Sequence, residues 1–307
     1  MKTSMAGTMK NSMSPESGLL PEPSPWQRVF RRVLGHHSMT LGVVILGVIV
    51  VLAILAPLIS PHDPYAQDVS NRLIPPVWFE KGHWDHLLGT DKLGRDYFSR
   101  LLYGARVSLT IGLVSVMLSG FIGITLGILA GYFGGRVDAL VSYILTVRLA
   151  MPVILVALAL ASLIGGSVKV VIVLLGLLLW DRFLIVSRSV TRQLREAEFI
   201  AAAQTLGASS WFIMLREILP NLLGPLTVVV TLEIAHAILL EATLSFLGLG
   251  VQPPMPSWGL MVAEGKAYMF FQPWVILIPG VVLALLVLSI NLVGDGLRDL
   301  TALDGRN

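Results

Sequence analysis

The stretch Met39 to Ile59 carries no charged side chain. A backbone segment of that length without charge has few fates. A bilayer core about 30 Å thick takes a helix of about 20 apolar residues. Such a helix satisfies every internal N–H and C=O within itself, which lipid requires. Five further long apolar stretches follow at Val107–Phe133, about Ala139–Ile164, Val170–Ser187, about Asn221–Leu249 and Pro273–Gly294, the first and last of them also free of charge. The chain is 55% hydrophobic and 13% charged, against roughly 25% charged residues in soluble domains. An all-α membrane protein of about six transmembrane helices follows.

Several function classes fall away at this point. There is no cysteine, so disulfides and thiolate metal sites are excluded. A net charge of +3 on 307 residues reflects loop bias rather than a nucleic-acid surface. No cleavable signal peptide opens the chain: residues 1–37 are polar, rich in Ser, Pro and Met, and read as a disordered cytoplasmic tail.

Arg28, Arg31 and Arg32 precede the first span, 38–59, and place the N-terminus in the cytoplasm by the positive-inside rule. Residues 60–106 are then extracytoplasmic, with six basic and six acidic residues between them. Residues 107–295 form the core transmembrane domain, including an inner loop at 188–220, and 296–307 return to the cytoplasm as a tail. An even number of crossings agrees with both termini inside. Arg188, Arg192 and Arg195 agree with the inner side for the loop.

In the second span Ser119, Gly123, Gly127 and Gly131 recur every four residues. Small residues at that spacing share a face and let a second helix approach closely. The partner is either a neighbouring subunit or a helix of the same chain. Pro152 predicts a kink in the third span.

The inner loop "REAEFIAAAQTLGASSWFIMLREILPN" interrupts two apolar spans with charges and small residues. Glu198 to Leu206 is built of strong helix formers. Its surface around Ala201, Ala202 and Ala203 is small-featured. Gly207 suits the left-handed residue that ends a helix. The next segment resumes helical periodicity, and Pro220 ends it or opens the fifth span. The expected product is a helix, a turn and a second helix across the inner face, shaped for another protein to close around.

Ala202, Ala203, Gly207 and the "ILP" ending at Pro220 resemble the "EAA…G…LP" loop of ABC-importer permeases, where a short helix docks into a cytoplasmic ATPase. Ala201 stands where that family has an acidic residue, with Glu198 nearby. "GTDKLGRDYFSRLLYGARVSL" (89–109), "AGYFGGRVD" (130–138), "EATLSFLGLGVQPPMPSWG" (241–259) and "GDGLRD" (294–299) are similar to the C-type permease subunit of dipeptide and oligopeptide importers. The resemblance implies the type I ABC-importer permease fold in a bacterial inner membrane. It implies a second homologous permease, two cytoplasmic ATPases, an extracytoplasmic substrate-binding protein and surrounding lipid as partners. It leaves nickel and other small solutes open beside di- and oligopeptides.

ATP and Mg are then expected on the partner ATPases, with no cofactor and no metal on this chain. A phosphate-cradling loop needs GxxxxGK[ST]. The one "GK", Gly265–Lys266, is followed by Ala267 and has Leu260 where the first glycine belongs. No nucleophile–base arrangement appears, so the chain is not expected to be an enzyme.

Ionisable residues within a span face a cavity, a partner or the bundle interior. Glu233, His236 and Glu241 on the fifth span are candidates for lining a path, for interhelical hydrogen bonds, or for a self-sufficient proton-coupled carrier. Asp181 and Arg182 mark either a gate or a helix end. Arg148 is expected to snorkel to the inner headgroups. His83 and His86 suit a metal only if helical and joined by a third ligand. Asp91, Arg95 and Asp96 form either a salt-bridged cap on the outer region or a local helix start capped by Asp91.

Overall fold

The computed structural model describes residues 37–304 and is all-helical across its spans. The tail 1–36 and residues 305–307 lie outside the described residues. Among the described residues five helices or continuous helix pairs are long and apolar enough to cross a membrane, and a bent pair makes a sixth if it counts as one span.

Helix α1 (His37–Ile59) ends just before Ser60 and Pro61, because a residue preceding proline is pushed out of the helical region. It lies against the last helix, α11 (Trp274–Asp304). There Gly42 meets Leu292 and the carbonyl of Ser289, and Gly296 meets Met39.

The central element is α2 (Tyr97–Phe133), which begins ten residues before the expected Val107. At 1.5 Å per residue it is about 55 Å long and outreaches the hydrocarbon core. Asp96 caps its start by accepting from the Ser99 amide, and Gly134, at φ 65°, ends it. The expected extracytoplasmic segment 60–106 is therefore loop only to Asp96 and helix beyond.

The small-residue face of α2 resolves to packing within the chain, against α6 (Asp181–Arg195). A Cβ on Gly127 would lie 2.6 Å from Ser187 Cβ and 2.8 Å from the Leu184 carbonyl. One on Gly131 would lie 2.7 Å from Thr191 Cβ. Gly123 sits as tightly on Trp180 and Phe183, and Ser119 is fully buried.

The third span is a pair, α3 (Gly135–Leu149) and α4 (Val153–Ile164), bent by 82°. Pro152 stands at the break, where its missing N–H cannot continue the α3 ladder. The fourth crossing joins α5 (Val168–Leu178) to α6 across Leu179 and Trp180.

Beyond α6 come α7 (Glu198–Thr205), the short α8 (Ser210–Phe212) and a π-helical turn, Ile213–Ile218. That turn runs directly into α9 (Leu219–Phe246), with Pro220 in the first turn. The second helix of the inner loop is therefore the beginning of the fifth crossing, not a separate helix across the face. Finally α10 (Trp258–Gly265), capped by Ser257, precedes α11. Helix α11 continues past Gly294 to Asp304, so most of the expected C-terminal tail is helical.

The loop 60–96 folds back on itself. Thr90 bridges Asp96, Leu73 donates to the Asp91 carbonyl, and Asp68 donates to Leu93. Gly94, at φ 74°, packs so closely on the Asp68 carbonyl that no side chain fits. The side chains of Ser70 and Asn71 donate to Asp68 and hold its carboxyl below the usual carboxylate range.

Candidate functional site

At one end of the bundle α7 projects from the seam between α6 and the π-helical turn. Ile200 is fully buried and anchors it. Glu198, Phe199, Ala201, Ala202, Leu206 and Gly207 are exposed, Ala203 is half-buried and Pro220 is exposed. Leu206 is 88% exposed, a large apolar residue left open at the tip. Gly207 adopts φ 82° with nothing near its missing side chain, so backbone conformation alone selects glycine. The Ala208 amide then returns to the Ala203 carbonyl at 3.0 Å and closes the helix end. The result is a short helix held by one buried side chain, with the small Ala201 and Ala202 and the large Phe199 and Leu206 facing outward.

The charges around this end are ordered within the chain. Asp138 on α3 accepts from Arg188 and Arg192 on α6, with Arg188 Nη2 at 2.9 Å. Arg148 does not snorkel. Its guanidinium donates to the Leu178 carbonyl through Nε at 3.0 Å and through Nη2, and lies 3.6 Å from Asp181. It thus satisfies the carbonyl freed where α5 breaks, and Asp181 opens α6.

Within the bundle Glu233 is buried, and its carboxylate pairs with Arg182 at 3.0 Å and with His236 at 3.5 Å. Arg182 is half-exposed. The pair joins α6 to α9. Glu241 is fully buried and accepts from Ser245 at 2.7 Å and Ser257 at 2.9 Å. Ser257 also caps α10. Glu241 therefore ties the 247–257 loop to α9, apart from the Glu233–His236 group.

The opposite end holds a buried ion cluster. Asp91 accepts from the amides of Leu93 and Arg95 and from Arg95 Nε at 2.6 Å. Arg100 Nε lies 3.3 Å from the same carboxylate. Both arginines reach Glu264 on α10, at 3.3 and 3.1 Å, and Lys92 approaches it at 3.5 Å. Neither expected arrangement is present as drawn: Asp91 and Arg95 pair, but with Arg100 and Glu264 rather than Asp96, which instead caps α2. Trp258 locks the same region by donating from Nε1 to the Leu101 carbonyl at 2.9 Å.

Arg100 and Glu264 did not stand out in the sequence. Arg100 lies in the segment 60–106, expected only to be polar and extracytoplasmic, and Glu264 is 164 residues away in the chain. The usable signal was that "GRDYFSR" starts a helix at Asp96, which puts Arg100 one turn inside it.

The family described as "Binding-protein-dependent transport system inner membrane component" matches residues 123–302. "N-terminal TM domain of oligopeptide transport permease C" matches residues 24–76. The dipeptide transport system permease protein of Alkalihalophilus pseudofirmus is 39% identical over 97% of each chain. The di/tripeptide permease of Pseudomonas aeruginosa is 39% identical over 90% of this chain and 91% of its own. The glutathione permease of Pectobacterium atrosepticum is 38% identical over 90% of both. Among solved structures, the inward-facing MetNI methionine ABC transporter superposes with TM-score 0.51 at 19% identity, covering 66% of this chain and 96% of that one. That likeness carries the fold: the type I ABC-importer permease arrangement. With its crossings, exposed α7 and matched length, this chain belongs to the inner membrane components of binding-protein-dependent transport systems.

Proposed function

We propose that the chain is one half of the translocation path of a peptide importer, moved by ATPases that grip α7. The observation carrying this reading is the exposed, small-surfaced helix Glu198–Thr205, anchored by Ile200 and ended at Gly207. The names of the relatives support short peptides as cargo. The reading puts α7 and both termini in the cytoplasm and the Asp91–Glu264 cluster outside. A second homologous permease completes the path, an outer binding protein delivers the peptide, and ATP and Mg sit on the ATPases. The Glu233–Arg182–His236 group lies at the α6–α9 seam, where movement of α7 is felt directly, and we assign it to the path side of the bundle.

Purification from the native host in mild detergent, with partners identified by mass, tests this. A second permease and two ATPases are expected, with dipeptide uptake into proteoliposomes that requires ATP. A lone chain moving dipeptide under a pH gradient overturns the reading.

A further inference from the structure

Outside the cluster that closes the outer end, three metal-ligating side chains converge from distant points of the chain. His62 follows α1, His86 belongs to the folded loop, and Asp96 caps α2. Asp96 Oδ1 lies 2.9 Å from His86 Nδ1 and 3.8 Å from His62 Nδ1. The two imidazole rings face each other with centroids 4.9 Å apart. One ligand atom from each residue falls within 4.8 Å of the others.

The surroundings hold this geometry. Asp96 is buried, and its other oxygen accepts from the Ser99 amide at 2.8 Å and the Ser99 hydroxyl at 2.6 Å. That leaves Oδ1 aimed at the histidines. The Ser99 hydroxyl in turn accepts from the His62 amide at 3.3 Å. His86 is set by turns at both sides, its amide donating to His83 and its carbonyl accepting from Gly89. His83, the expected partner of His86, is exposed and takes no part.

We propose that His62, His86 and Asp96 bind a zinc-class divalent cation. Two imidazole nitrogens and one carboxylate oxygen are a borderline-soft ligand set that suits Zn2+ and leaves a fourth position for water. Bonds of about 2.0 Å put tetrahedral ligand atoms about 3.3 Å apart. The exposed His62 loop has to close by up to about 1.5 Å, and the 2.9 Å His86–Asp96 contact to open by a few tenths of an ångström, to reach that spacing. The buried carboxylate, oriented by Ser99, is the kind of supporting shell that metal ligands need. It also stands between the cation and the α2 N-terminus, whose dipole opposes positive charge. Occupied, the site clips the exit of α1 to the start of α2.

The test uses tag-free protein in detergent, stripped with chelator and titrated with Zn2+ alone by calorimetry, with retained metal counted after dialysis. One Zn2+ per chain is expected, with a raised melting temperature. His62→Ala and His86→Ala each weaken binding by about 100-fold or more, Ser99→Ala by about 10–100-fold, and His83→Ala leaves it unchanged. If His62→Ala fails to fold, His62→Gln replaces it at this exposed position. Absence of saturable binding, or binding unchanged in both His62 and His86 variants, overturns the proposal.

Discussion

At the residue scale the end that carries the 60–96 loop depends on buried charges that hold one another. Arg100 is fully buried and reaches Asp91, Glu264 and, at 3.4 Å, the carbonyl of Pro64. Its removal takes one of two arginines from Asp91 and Glu264, which Arg95 still reaches, so the cost is at most about 3–5 kcal/mol, that of breaking a buried pair on one side. Arg100→Ala is therefore expected to lower thermal stability in detergent by up to that amount, and Arg100→Lys to recover only part, since a single ammonium cannot span the same partners. Glu241 gives a milder case. Glu241→Ala leaves the Ser245 and Ser257 hydroxyls without their buried acceptor, a loss of about 1–3 kcal/mol. Glu241→Gln keeps an acceptor oxygen and is expected to lose less. A melt in which Glu241→Ala equals the parent would show that the 247–257 loop is held without it.

At the scale of elements, the α2–α6 contact is set by the absence of side chains. Gly127→Val places atoms where Ser187 and the Leu184 carbonyl already stand. Overpacking of this kind costs about 1–3 kcal/mol, and helix separation adds to it, so a lower melting temperature is expected. Gly207→Ala is different. Its site is open, so the cost is left-handed backbone strain of about 1–2 kcal/mol confined to the end of α7. The bundle is expected to melt normally while peptide-stimulated ATPase activity of the assembled complex falls. Equal loss of bundle stability would place Gly207 in the core instead. The crossings were legible because lipid demands long, predominantly apolar runs, and the α7 terminus because glycine has one dominant reason to end a helix. The start of α2 at Tyr97 was not legible, because Arg100 reads as solvated until Asp91 and Glu264 are brought beside it. Arg148 misled for the same reason: the carbonyl it satisfies, Leu178, exists as an open acceptor only once α5 has broken.

At the scale of the whole molecule, the chain has a fastened end and a poised end. Buried ion pairs, Trp258 and Glu241 bind the 60–96 and 247–257 loops to α2 and α9. At the other end α7 is attached chiefly through Ile200 and continues through the π-helical turn into α9. Force applied to α7 thus enters α6 and α9, the two helices that Arg182 and Glu233 connect. On the proposed reading, a two-state rearrangement of that packing is what would supply alternating access. The sequence contains no cysteine, so one introduced thiol is unique within this chain. The direct test is Ala202→Cys in the complex purified from the native host, cross-linked with a short thiol-to-amine reagent and resolved by mass. The account predicts a cross-link to an ATPase subunit, altered by ATP, with none from Trp84→Cys at the opposite end. An ATPase cross-link absent from Ala202→Cys, or formed equally from Trp84→Cys, would contradict it.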